Sequence, residues 1–138
     1  YFILHNIGII LKKSAIYETS PWGKINQANF LNQVLQVQTD QSPFQLLKQL
    51  QKIEKRLGRK NKGNNAARTI DIDILFFNFA IIEAKNLTVP HSKLHLRKFT
   101  LIPLKELNAS FIHPVLKKSI SDLEKECEDN LKVSIFAQ

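Results

Sequence analysis

The chain has 138 residues, 43% of them hydrophobic, enough for one domain with one core and too apolar for a disordered segment. Its apolar runs fall far short of the ~20 residues a membrane helix needs, which excludes a helical spanning protein at the level of pattern. A single cysteine, Cys127, excludes an internal disulfide and a cysteine-based zinc site and favours a reducing, cytoplasmic setting, while a net charge of +8 favours a polyanionic ligand.

In chain order, residues 1–8 are mostly apolar and read as the last turns of a helix stopped by Gly8. Residues 9–19 read as a strand. Ser20-Pro21-Trp22-Gly23 is a turn cluster, followed by a polar loop through Asn29. Residues 30–39 alternate, with Leu31, Leu35 and Val37 against Asn32, Gln36 and Gln38, and only Val34 breaks the pattern of a strand. Ser42-Pro43 is a strong helix start, with serine as N-cap and proline at the first helical position. Leu46, Leu47, Leu50, Ile53 and Leu57 then form one helical face, and Gly58 is placed to end the helix. Lys48, Lys52 and Lys55 lie off that face and read as solvated.

Residues 58–68 have no periodicity and form a basic loop. Eight basic residues stand between positions 48 and 68 against Glu54 alone, whereas residues 119–138 carry a net charge of −3. The loop runs into Arg68-Thr69-Ile70-Asp71-Ile72-Asp73-Ile74-Leu75, which reads as a strand. Alternation puts the isoleucines on a core face and Asp71 and Asp73 side by side on the other. Aspartate is depleted in strands, and two like charges at this spacing repel unless a cation sits between them. Mg²⁺ suits the pair, since it prefers oxygen and is commonly held by one or two carboxylates plus substrate phosphates. A turn follows near Asn78, then a short extended piece at 87–91. Residues 94–107 have helical spacing with a break expected at Pro103, and Ser121 is the expected cap of a final short helix.

The glycines (Gly8, Gly23, Gly58, Gly63) spell neither a P-loop nor a dinucleotide fingerprint, and no nucleophile elbow is present. Bound phosphate must then be held by side-chain cations and metal. Asp71 and Asp73 can hold the metal. Arg59, Arg68 and Arg97 can stabilise a transferring group, and His91 can donate to a phosphate oxygen.

The Arg68–Leu75 run, together with Leu87-Thr88-Val89-Pro90-His91, Arg97-Lys98-Phe99 and Ile102-Pro103-Leu104, closely resembles 6-hydroxymethyl-7,8-dihydropterin pyrophosphokinase of folate biosynthesis. Tyr17-Glu18-Thr19-Ser20-Pro21-Trp22-Gly23 and Asn29-Phe30-Leu31-Asn32 look like that family's pterin-binding loop and strand. The resemblance implies transfer of the β,γ-pyrophosphate of ATP to the pterin hydroxymethyl group with release of AMP. It implies that Asp71 and Asp73 hold two Mg²⁺ ions and that Arg59 and Arg68 stabilise the transferring group. Gln51, Thr88, His91 and Arg97 would contact ATP, with Ile74 lining the adenine pocket. Asn32 would bond the pterin edge, Phe30 and Phe99 would sandwich its ring, and Thr19, Ser20 and Trp22 would complete that pocket. The implied fold is α+β, a ferredoxin-like sandwich with a mostly antiparallel sheet covered by helices, forming a single domain over residues 1–138. The family's first strand, with its Gly-Ser-Asn-like turn, is not represented, so the domain is expected to be N-terminally incomplete. Asn61–Ala67 also departs from the family's Arg- and Trp-bearing loop, with Lys60 and Lys62 as candidate substitutes.

Two other readings compete with this one. A basic nucleic-acid-binding module would use the positive run, but aromatics for stacking are not interleaved with it. A degenerate family member would bind ATP or pterin without efficient turnover. The expected protein is a cytoplasmic monomer that binds ATP and pterin and needs neither nucleic acid nor membrane.

Overall fold

The protein is described here by a computed structural model covering residues 7–20, 29–58 and 70–138. These divide into two compact units, one from residues 7–9 and 38–91, the other from 10–37 and 92–138. Three helices and antiparallel strand pairs among them make an α+β protein, compatible with the expected sandwich class and not with a barrel.

In the first unit, α1 (Pro43–Gly58) begins as expected. The Ser42 hydroxyl accepts from the Gln45 N–H at 3.2 Å, and the Gln45 side chain accepts from the Ser42 N–H at 2.9 Å, a reciprocal cap. Its apolar face buries Leu50 and Ile53 beside Ile7, with Leu46, Leu57, Ile72 and Ile74 packed around them. Gly8 is required by space, because a Cβ there would run into the Gln38 carbonyl oxygen. Further on, β5 (Ile82–Glu83) pairs antiparallel with β6 (Thr88–Val89), and Leu87 and Val89 are buried. The turn expected near Asn78 is present, with Asn78 in the left-handed region at φ 53°.

The expected strand at 68–75 differs from the structure. Residues 70–77 join no ladder among the described residues. The backbone donor of Ile72 is taken by the Glu54 carboxylate of α1, and the Leu75 carbonyl accepts from the His91 N–H at 2.9 Å. Side-chain and loop partners thus satisfy groups that a neighbouring strand would have used. The alternation survives from Ile72 onward: Ile72 and Ile74 pack on the core, while Asp71 and Asp73 are exposed. Ile70, expected on the core face, is 51% exposed.

In the second unit, each of the two long expected strands is split. Residues 9–19 form β1 (Ile9–Lys13) and β2 (Ile16–Thr19), and residues 30–39 form β3 (Phe30–Asn32) and β4 (Leu35–Gln38). β1 pairs with β4, and β2 pairs with β3. The breaks face each other. Ser14 N–H donates to the Val34 carbonyl at 2.9 Å, Val34 N–H donates to the Ser14 hydroxyl at 3.0 Å, and the Gln33 amide donates to the Ser14 carbonyl at 2.7 Å. Val34, the residue that breaks the sequence pattern, marks the bend. A carboxylate braces the other side: Glu106 accepts from the Ala15 N–H at 3.1 Å and from the Tyr17 hydroxyl at 2.7 Å. Burial, and then this bond to Glu106, push the Tyr17 phenol up to about 12.

β7 (Val133–Ala137) pairs antiparallel with β2 and completes the order β3-β2-β7. No strand was expected here, although Val133 and Ile135 stand at period two. Residues 94–107 are helical, but the break falls at Arg97, between a 3-10 turn (Leu94–Leu96) and α2 (Lys98–Asn108), and α2 runs through Pro103. The cap of α3 (Ile120–Glu126) is Ser119 rather than Ser121. Its backbone is extended and its hydroxyl accepts from the Asp122 N–H at 3.0 Å, whereas the Ser121 N–H donates to Ala109. Leu94, Leu101, Ile120 and Leu123 are buried in this unit.

Candidate active site

The first unit holds the acidic pair. Ile72 and Ile74 are anchored on Leu50 and Ile53, and the Glu54 contact fixes the backbone at Ile72, so Asp71 and Asp73 are held outward from a packed base. The Asp73 carboxylate lies 3.9 Å from His91 Nε2, with 57% of the Asp73 side chain exposed and 25% of that of His91. The Leu75–His91 backbone bond brings the end of β6 to the acidic segment and sets that approach. Thr88 is exposed on β6. Gln51 projects from α1 into an open groove with Asp71, Ile70, Glu54, Lys48, Lys52 and Lys55. The three lysines are exposed, as the sequence reading expected, and they line the same groove as Asp71. Ile74, expected in a nucleotide pocket, packs on the unit's core.

The donor set of Asp71 and Asp73 suits a hard cation that draws its remaining ligands from substrate and water. Among the described residues no group of three or more His, Cys, Asp and Glu side chains gathers into an all-protein cage.

The second unit holds the aromatic pair. Cross-strand partners share a face of an antiparallel sheet. The register Tyr17↔Asn32 and Thr19↔Phe30 therefore places Tyr17, Thr19, Phe30 and Asn32 on one face of β2–β3. Phe99, in the first turn of α2, meets Phe30 edge to face, with ring centroids 5.3 Å apart at 90°. The sequence reading has these rings sandwich a flat ligand. A sandwich needs ring planes roughly 7 Å apart, twice a stacking distance. In the present conformation the rings touch each other, so one must turn to admit a stacked ligand. Arg97, expected at phosphate, lies with its guanidinium carbon 5.5 Å from the Phe99 ring centroid, a cation–π contact.

Among the described residues, two oxygens on this face are buried without a hydrogen-bond partner: Thr19 Oγ1 and Asn32 Oδ1. The other end of the Asn32 amide donates to the Phe99 carbonyl at 2.6 Å. Ser20 is half-buried and its N–H donates to the Lys132 carbonyl at 3.2 Å. Arg59, Arg68 and Trp22 lie outside the described residues. Sequence reasoning missed two polar residues that hold these pieces: Glu54, which ties α1 to the acidic segment, and Asp129, whose carboxylate accepts from the first N–H of α2 at 3.0 Å. Neither has a local signature, since the paired groups are 18 and 31 residues apart.

The first unit thus carries an outward carboxylate pair beside a histidine and a lysine-lined groove, and the second carries an aromatic pair on a sheet face, in an α+β protein. Residues 3–109 match the family described as 7,8-dihydro-6-hydroxymethylpterin-pyrophosphokinase. A 2-amino-4-hydroxy-6-hydroxymethyldihydropteridine pyrophosphokinase of Aquifex aeolicus is 42% identical over 117 residues, covering 85% of this chain and 73% of that protein. The enzyme of the same name from Bacillus subtilis is 44% identical over 103 residues, 75% of this chain and 62% of its own length. The folic acid synthesis protein fol1 of Pneumocystis carinii is 40% identical over 124 residues, 89% of this chain but only 17% of that longer protein. The chain belongs to the 7,8-dihydro-6-hydroxymethylpterin-pyrophosphokinase family.

Proposed function

We propose that this chain transfers the pyrophosphoryl group of ATP to the hydroxymethyl group of 6-hydroxymethyl-7,8-dihydropterin, giving AMP and the pterin diphosphate. The hydroxymethyl oxygen attacks the β-phosphorus. The bond from that phosphorus to the oxygen bridging it to the α-phosphorus breaks, AMP leaves with the bridging oxygen, and the hydroxyl proton is released. The observation that carries the reading is the outward pair Asp71 and Asp73, fixed on the packed base of Ile72 and Ile74, in a chain of this family.

In this reading Asp71 and Asp73 would hold two Mg²⁺ ions. A metal held there would supply charge neutralisation at the phosphates. His91, beside Asp73, donates to a phosphate oxygen, and Gln51, Thr88, Arg97 and Ile74 belong to the ATP side. Arg59 and Arg68 steady the transferring group, as the resemblance implies. On the pterin side, Phe30 and Phe99 stack on the ring, and Asn32, Thr19, Ser20 and Trp22 bind its edge. The proposal extends to a cytoplasmic monomer.

The test is a product analysis. Chromatography of nucleotides after incubation with ATP, Mg²⁺ and the hydroxymethyl-dihydropterin should show AMP, formed only when both pterin and metal are present. ADP as product, or equal nucleotide turnover without pterin, rejects the proposal.

A further inference from the structure

Pro103 stands inside α2 and is fully buried. An interior helical residue donates its N–H to the carbonyl four positions earlier, which here is that of Phe99. Proline has no N–H to donate, and its ring crowds that carbonyl and pushes it off the helix axis. In this structure the Phe99 carbonyl accepts instead from Asn32 Nδ2 at 2.6 Å. A carbonyl only accepts, so this bond dictates which end of the Asn32 amide faces α2. The Oδ1 end is thereby turned away from the helix, buried and without a partner among the described residues. Thr19 Oγ1, on the same sheet face, is a second buried oxygen with no partner among the described residues. Native structures rarely leave such groups unpaired without a use for them.

We propose that Pro103 is a positioning residue for substrate recognition: by leaving the Phe99 carbonyl without its helical donor, it locks the Asn32 amide so that Oδ1 is a fixed acceptor. The chemical class this selects is a flat heteroaromatic whose edge carries N–H donors, to be met by Asn32 Oδ1 and the Thr19 hydroxyl beside the Phe30–Phe99 pair. The substrate half of this inference rests on the function proposed above; the Pro103–Asn32 half does not.

The decisive variant is Pro103→Ala, which restores the helical N–H and lets the Phe99 carbonyl swing back to the helix axis. Titration calorimetry with 6-hydroxymethyl-7,8-dihydropterin and a non-hydrolysable ATP analogue should show pterin affinity falling about tenfold, the scale of one well-made hydrogen bond. Affinity for the ATP analogue should stay within about twofold. Pro103→Ala placed on Asn32→Ala should then cost nothing further. An equal loss in both backgrounds would show that Pro103 acts by packing alone and would overturn the proposal. An independent readout needs no substrate. The ¹⁵N-labelled Asn32 side-chain amide should be protected from hydrogen exchange in the parent chain and lose protection in Pro103→Ala. An unprotected Asn32 amide in the parent chain refutes the lock even where the variant fails to fold. If the parent chain forms no AMP and binds no pterin, the functional reading falls, while amide exchange still decides the role of Pro103.

Discussion

Asp71 and Asp73 owe their position to their neighbours. Ile72 and Ile74 are drawn into the core of the first unit, so the residues between and beside them are turned to water. Because both carboxylates are exposed, replacing either should leave the fold intact, within about 0.5 kcal/mol in a denaturant melt. On the proposed function turnover should nonetheless drop at least about 100-fold in Asp71→Ala and in Asp73→Ala, since the loss of a carboxylate that would hold metal costs several kcal/mol of barrier. Near-parental rates in both would remove the pair from the chemistry. His113 makes a different kind of prediction. Its Nδ1 accepts from the Val115 and Leu116 N–H groups at 3.1 and 3.0 Å, which requires the neutral ring. Burial, then repulsion from His95, hold its pKa below the ordinary 6.5. The unfolded chain therefore takes up this proton first, so stability should fall as pH drops through 6.5 and be level above it. Urea melts of the parent chain and of His113→Asn at pH values on either side should show the slope only in the parent.

At the scale of elements, caps and braces decide where segments start and bend. The Ser42–Gln45 exchange closes the start of α1, and Ser42→Ala should cost about 1 kcal/mol of stability, measured by urea denaturation. Its lesson is general for this chain: serine followed by proline is a local signal, readable before any fold is known. α2 has no such signal. Its first N–H is satisfied by Asp129, and its flank is tied to α3 through Glu124, which lies 3.4 Å from the Lys98 ammonium and 3.3 Å from that of Lys105. For Glu124, burial favours the neutral acid, but Lys105 and then Lys98 outweigh it and hold the pKa below the ordinary 4.5. A depressed carboxylate stabilises the fold above its unfolded value and ceases to do so as pH falls through the folded one. Glu124→Gln should accordingly melt below the parent at pH 7, and the gap should close as the pH goes below 4.5.

For the molecule as a whole, the +8 net charge is concentrated along positions 48–68, and Lys48, Lys52 and Lys55 face the groove that also holds Gln51 and Asp71. A focused positive field raises the encounter rate of a polyanion and is screened within roughly 10 Å at 0.1 M salt. If ATP is the ligand of this groove, its association rate should fall as ionic strength rises, while turnover at saturation changes little. Stopped-flow binding of a fluorescent ATP analogue across a salt series checks this. A salt-independent rate would return the lysines to a merely solvated role.

Much of the local grammar was legible in the sequence. The start of α1, its buried face, the Asn78 turn and the outward aspartates all follow from spacing within a few residues, where periodicity and capping act. The motifs around Asp71, His91 and Phe99 were enough to point to the family. What the tertiary structure decided involves partners distant in the chain. The opposed breaks at Ser14 and Val34 split two apparent strands into four. Residues 70–77, alternating like a strand, draw their hydrogen bonds from Glu54 and His91 instead of a ladder. The Phe99 carbonyl, denied its helical donor by Pro103, meets an asparagine 67 residues away. A hydrogen-bond donor left over in one segment carries no local mark of the acceptor it will find, because only folding brings the two within 3 Å.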